Sequence, residues 1–336
     1  MTRRDRTTGL STESRTDPSQ NKRNFFRSLQ TGQYAVIALT LVLLFFVIGF
    51  FVYRIYEKDN WGEKTILEVG DEAFSLRYYA DRFFYYAQSN PGTGIPILQE
   101  SLLFTLENEA LIKILAAEKG IVVDEDLLDK AFETLLGVPK NRLGKSNPDF
   151  ETYLEMQLGI TGMQRSSFER FIAAGEAEKL LLSKLKSEMP AGGELLTFRS
   201  ILVATELDAS DVLTRIKKGE NMGSIAQTDS LDRIGRQNDG LTTKPPSLIN
   251  EKILSVLGNL EIGDIASHPI QLEENLWAVI RYEELLIVQA YSEEHLNDLA
   301  LQNLDDLVKN ARARVMIKRN LSSEDIAVVE DHTRVE

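Results

Sequence analysis

The sequence predicts an α+β protein behind a single N-terminal membrane-spanning helix: a mostly helical body, a small mixed domain and a closing helix. Three observations support this. Residues 34–53, YAVIALTLVLLFFVIGFFVY, carry no charge, and they supply the ~20 residues a helix needs to cross a bilayer core. From Ser75 to Lys186, apolar residues recur at helical spacing between capping residues. From about 196 to 285, helical patterns are bracketed by β-rich runs, TFRSILV before them and LWAVIRYEE behind.

Residues 1–28 are polar and charged without periodicity, the pattern of a disordered tail. Before Tyr34 stand Arg3, Arg4, Arg6, Arg15, Lys22, Arg23 and Arg27 against three acids, Asp5, Glu13 and Asp17. Lys and Arg near a span favour the cytoplasmic side, so the tail is expected there and the body outside the cytoplasm. Arg54 and Lys58 on the far side make that bias modest. A cleaved signal would have an apolar core of about 7–15 residues and a small-residue cleavage site. This run is longer and ends in Phe50, Phe51, Tyr53 and Arg54, so it reads as a retained span over 34–55. Tyr34, Tyr53, Tyr56 and Trp61 suit an interfacial aromatic belt. Cysteine is absent, which excludes disulfides, thiolate zinc sites and a lipidated cysteine anchor. The whole chain carries a net charge of −13; with the segment before Tyr34 net positive, the body is more acidic still, which argues against nucleic acid as a partner.

The body begins near Thr65. ILEVGDEAFSL reads as a strand and a bend at Gly70-Asp71, leading into a helix from Ser75 that carries Tyr78, Tyr79, Phe83, Phe84, Tyr85 and Tyr86. Most of these rings are expected in the core. A long helix follows over about 97–119, with Leu98, Leu102, Leu103, Leu106, Ala110 and Leu111 at helical spacing and a stop at Lys119-Gly120. Asp124 is the N-cap of the next helix. GVPKNRLGKSNP reads as a loop closed by Asn-Pro, DFETYLEMQLG as a helix, and about 161–186 as a last long helix. MPAGGELL has the composition of a linker.

The ordered set GDE, EALIKILAAEKGIVVDEDLLDKAFETLL and FETYLEMQLGITGMQRSSFERFI resembles the N-terminal helical chaperone region of SurA-, PrsA- and PpiD-type extracytoplasmic folding factors, over about 120 residues. RSILV, KKGENMGSIA, LEIGDIA and WAVIRYEE are similar to the signposts of a parvulin (rotamase) domain over about 196–284. The residues themselves support only a small α+β domain. The resemblance implies a SurA-N-like chaperone domain at 65–190, a parvulin-like domain at 196–285 and a C-terminal helix at 290–320 that returns onto the chaperone domain. Leu296, Ala300, Leu304, Leu307, Val308, Ala311 and Val315 form its apolar stripe. LSSEDIAVVEDHTRVE reads as a frayed acidic tail.

The departures from that family bear on activity. Its isomerases usually carry one histidine in the first strand and one in the last; Ser200 and Ala278 align with those positions. The three histidines of this chain are His268, His295 and His332, and the last two fall outside the domain. Asp232 aligns with the polar residue that faces the twisting amide. Leu248, Ile249, Ile253 and Leu257 align with the apolar proline pocket. Prolyl isomerisation breaks no bond; it crosses a rotational barrier of ~18–20 kcal/mol and takes roughly 10–100 s uncatalysed. A protein accelerates it by desolvating the amide and holding its carbonyl in the twisted geometry. Losing both histidines would remove the network that orients Asp232, so weak or absent isomerase activity is expected.

Asp124, Glu125, Asp126 and Asp129 lack the spacing of a calcium loop and suit a helix N-terminus instead. Neither a G-x-S-x-G elbow nor an HExxH motif occurs, which sets aside a hydrolase built on Ser200 and His268. The resulting expectation is a membrane-anchored, extracytoplasmic chaperone for unfolded or newly exported polypeptides, needing no cofactor or metal. Two alternatives stand beside it: an active prolyl isomerase using Asp232, and a non-catalytic tether at the translocon or another envelope complex.

Overall fold

The computed structural model describes residues 44–49, 61–142 and 145–333. The chain divides into two compact units, Met1–Lys64 and Thr65–Glu336. In the first, residues 44–49 are helical and exposed, and Trp61–Glu63 form a 3-10 turn. No helix among the described residues is long and apolar enough to cross a membrane. The expected tail at 1–28 lies outside the described residues, as does the expected span at 34–55 except for 44–49. All that follows concerns the second unit, which mixes helix and strand.

Its helical half opens with a hairpin of β1 (Thr65–Val69) and β2 (Glu72–Ser75). The Ser75 hydroxyl then accepts from the Tyr78 N–H and starts α1 (Leu76–Ser89). Tyr78, Tyr79 and Phe83 are buried. The long helix α2 (Ile95–Glu118) buries Leu98, Leu102, Leu103, Leu106, Ala110 and Leu111. It packs on α1, β1 and two later helices. Each such leucine contributes roughly 1.5–3 kcal/mol when fully buried, so α2 is the spine of this half. Asp124 caps α3 (Glu125–Leu136) through the Leu127 N–H.

The segment expected as a plain loop holds a two-residue strand pair, β3 (Asn141–Arg142) and β4 (Lys145–Ser146). Asn147 then caps α4 (Pro148–Thr161). The last long helix, α5 (Arg165–Glu188), begins later than the expected Thr161. Thr161 closes α4 instead, and Gly162 turns left-handed behind it at φ 68°. Phe132, Phe150, Leu154, Met163 and Phe168 seal α3, α4 and α5 together.

The sheet half corrects the expected linker. MPAGGELL is not a spacer, because β5 (Gly192–Val203) starts inside it. β5 pairs antiparallel with β8 (Leu276–Ala290) from Gly192↔Ala290 to Val203↔Trp277. A Cβ on Gly192 would sit 2.3 Å from the Gln289 carbonyl, so glycine there permits the close pairing that its composition disguises. β6 (Leu241–Lys244) flanks β5 and β7 (Ile270–Glu273) flanks β8, giving the order β6-β5-β8-β7.

Strand alternation sends Ile201, Val203 and Val279 to one face, under α6 (Glu206–Lys217) and α7 (Met222–Asp229). Phe198, Ala278, Ile280 and Tyr282 go to the other, under α9 (Glu251–Leu257). Between them lies the short α8 (Arg233–Gln237). Thr205 caps α6, accepting from the Asp208 N–H at 3.1 Å.

The chain then returns. α10 (Glu293–Arg314) packs on α2 and α5, and β9 (Ile317–Arg319) pairs with β1 at Leu67↔Arg319 to complete the sheet β2-β1-β9. Glu107 of α2, 1% exposed at its side chain, receives Arg312 of α10 and Arg319 of β9. Burial alone would raise its carboxyl, but hydrogen bonds from Arg319 and Arg312 hold it below the ordinary carboxylate value. The expected frayed tail is instead α11 (Ser323–Thr333), which buries Val329 and packs on α1.

Candidate functional site

Residues singled out in the sequence meet at one groove of about 530 Å³ in the sheet half. Ser200 lies on β5, on the face that carries Phe198 and Leu202. Its N–H donates to the Gly240 carbonyl at 2.9 Å. That contact depends on the turn before β6, where Asp239 (φ 56°) and Gly240 (φ 76°) are both left-handed. A Cβ on Gly240 would lie 2.5 Å from the Ser200 carbonyl, so only glycine brings this backbone against the strand.

Asp232 stands where the chain leaves β5's edge. Leu231 N–H donates to the Leu202 carbonyl at 2.7 Å, and the buried Ser230 hydroxyl accepts from the Leu202 N–H at 3.1 Å. Pinned this way, Asp232 caps α8: its Oδ1 accepts from the Ile234 and Gly235 N–H groups at 3.0 and 2.9 Å. A carboxylate engaged in capping is fixed in place and has less capacity left for a ligand.

Leu248, Ile249 and Ile253 line the groove on the side of α9. Leu257 does not; it is buried in the core beneath it. Ala278 lies on the same face of the sheet as Ser200, two positions from Ile280, which pairs with Ser200. It is 0% exposed and presents only a methyl to that core. The structure therefore places Ser200, Asp232, Leu248, Ile249 and Ile253 together, and withdraws Ala278 and Leu257 behind them.

One wall was not foreseen from the sequence. Glu294, His295 and Asp298, from the first turns of α10, line the groove. His295 was set aside as outside the domain, yet its Nε2 lies 3.0 Å from the Thr243 carbonyl of β6. Tyr291 meets its ring edge-on with centroids 6.1 Å apart. Gln302 donates to the Ser247 carbonyl at 2.8 Å, and Glu293 pairs with Lys186. No local spacing marks this wall, because it forms only when α10 docks beside β6.

The helical half has its own hollow, about 210 Å³, between β2, α1, α2 and α5. Alanines 110, 116, 117, 173, 174 and 177 face it, above the rings of Phe74 and Tyr78. Arg170 stacks over both rings at 4.2 and 4.8 Å and reaches Glu72 at 3.4 Å. Burial raises the Tyr78 hydroxyl above its ordinary value, against the lowering effect of the Arg82 charge beside it. Tyr153, Met156 and Ile160 form a further exposed apolar stripe along α4. Small side chains over a ring floor, with charges at the rim, suit a guest that is itself an apolar side chain.

No protein-family description matches the sequence, and no curated protein is similar to it. Solved structures are. The chain is similar to the peptidylprolyl isomerase PrsA of Bacillus anthracis, 15% identical with a TM-score of 0.43, covering 63% of this chain and 96% of that one. It is similar to a SurA-like chaperone of Campylobacter jejuni at 14% identity and a TM-score of 0.27, covering 65% of this chain and 96% of that one. The parvulin of Nitrosopumilus maritimus, 21% identical with a TM-score of 0.25, covers 29% of this chain and is itself covered completely (100%). A PrsA, a SurA-like chaperone and a parvulin are thus among the solved structures this chain is similar to.

Proposed function

We propose that this chain is a protein-folding factor that holds unfolded polypeptide segments, anchored by its N-terminal apolar run with its body on the extracytoplasmic side. The observation that carries the reading is the open groove in which Leu202, Ile249 and Ile253 lie beside Ser200 and Asp232. A trough with an apolar floor and a polar edge takes an extended chain by its side chains and leaves the backbone free to hydrogen-bond. The alanine-walled hollow gives a second apolar foothold on the same molecule. Reversible capture at two weak sites lowers the concentration of free, aggregation-prone chain without nucleotide, metal or covalent step.

A second reading, prolyl isomerisation, is favoured by the meeting of Asp232 and Ser200 in one groove. The proposal gives it a slow rate at most. Asp232 is engaged by two backbone N–H groups, and the position of the second family histidine is a buried methyl.

The test is aggregation of two unrelated unfolded proteins with and without the full-length chain in detergent micelles, beside cis/trans exchange in an Ala-Pro-Phe peptide followed by NMR. Suppression of both aggregations with near-background exchange is expected. Rapid exchange abolished by Asp232→Ala would make the chain an isomerase. No suppression, together with one dominant crosslinked partner, would make it a tether.

A further inference from the structure

We propose that the first turns of α10 select which polypeptide enters the groove, favouring a segment with a lysine or arginine next to the apolar residue that fills the trough. This rests on the reading of the groove as a polypeptide site. Three carboxylates line it, those of Asp232, Glu294 and Asp298, against one ammonium, that of Lys244. Glu294 and Asp298 are four positions apart and so project from one side of α10. Among the described residues neither has an ion-pair partner or a side-chain hydrogen bond, whereas Glu293 beside them is paired with Lys186. Asp232, by contrast, is occupied by its cap. The two unengaged carboxylates thus face a cavity whose floor is apolar.

The wall they stand on is held firmly. His295, next to Glu294 and one turn before Asp298, is tied to Thr243 of β6, and Gln302 to Ser247 of the 3-10 turn after it. The helix that closes the helical half therefore also supplies the charged side of a groove built by the sheet half. An extended segment laid with an apolar side chain over Ile249 and Ile253 would pass the α10 wall with a neighbouring side chain. A cation there meets two carboxylates, and an anion is repelled by both.

The experiment uses the full-length chain in detergent micelles, with isoleucine methyl NMR reporting on Ile234, Ile249 and Ile253, all in the groove. Two peptides, Ala-Lys-Pro-Phe and Ala-Glu-Pro-Phe with blocked ends, are titrated at low and high salt. Partly exposed charge pairs of this kind are worth about a fivefold preference for the lysine peptide, and raising the salt should shrink it. The double variant Glu294→Gln/Asp298→Asn should bind both peptides alike, with methyl signals outside the groove unmoved.

Equal affinity in the wild-type chain would overturn the proposal. A lysine preference that survives in the double variant would overturn the assignment to α10. Failure of both peptides to move the groove methyls would overturn it too. The aggregation assay then separates the two failures, because suppression would leave the folding-factor reading standing on the helical half alone.

Discussion

The two halves of the body solve the problem of closing a fold in opposite ways. The sheet half is one continuous stretch from Gly192 to Ala290, and its first and last strands pair along their length. The helical half is assembled from two pieces of chain separated by the whole sheet half, and its closure rests on β9 beside β1 and on Glu107 between Arg312 and Arg319. The continuous half can close by its own contacts, whereas the divided half depends on long-range ones. α10 serves both, since it packs on α2 and α5 and walls the groove beside β6.

Truncation breaks the comparison most severely. A chain ended after Val315 loses β9, α11 and one of the two arginines on Glu107. The helical half should lose cooperative unfolding and resistance to limited proteolysis, a destabilisation beyond about 4–5 kcal/mol, while 192–290 stays protected. Loss of protection in both halves would show that the sheet half does not close alone.

Glu107→Gln is the milder cut. It removes one buried carboxylate and leaves two partly exposed guanidiniums, so about 3 kcal/mol, the low end for a broken buried pair, is expected from urea unfolding at pH 7. The sign with pH follows from the depressed carboxyl. Its stabilisation is fully present above the unfolded-state value and is lost as pH falls through the folded one. Wild type and variant should therefore converge in acid, and a constant difference down to pH 3 would contradict the ion-pair account.

Gly240→Ala probes the other half. A left-handed backbone and a Cβ close to the Ser200 carbonyl should cost about 2 kcal/mol and move the groove methyl signals, with the helical half unaffected. Ser200→Ala should be the smallest change, within about 0.5 kcal/mol. The hydroxyl has no protein hydrogen-bond partner among the described residues and is free to meet a guest. A larger loss in thermal unfolding would give it a structural role instead.

How much of this was legible depended on whether the signal was local. The caps Ser75, Asp124 and Asn147 were readable because each acts within three residues of itself. Ser200, Asp232, Leu248, Ile249 and Ile253, which the structure brings to one groove, could be named by resemblance because all lie within the motif-bearing stretch of about 196–285. The α10 wall was not, because His295 meets Thr243 across 52 positions and nothing in either segment announces the other. Gly192-Gly193 was misread because composition cannot distinguish a loose spacer from a ribbon whose backbones approach closely. The tail held a signal that went unused: Ser322 and Asp325 form a capping box, with the Ser322 N–H donating to Asp325 at 2.8 Å and the Asp325 N–H to Ser322 at 3.3 Å.

The pairing of β1 with β9 also sets a clock. Glu68 and Lys318, joined at 3.0 Å across those strands, are 250 positions apart. Synthesis at roughly 5–20 residues per second separates their appearance by about 10–50 s. Throughout that interval the first strand waits with an open edge, and the cost of closing so long a loop falls due only at the end. A product that stops short never seals its first sheet. Closure of the helical half is thus tied to synthesis beyond Arg319: only a chain read through β9 acquires it.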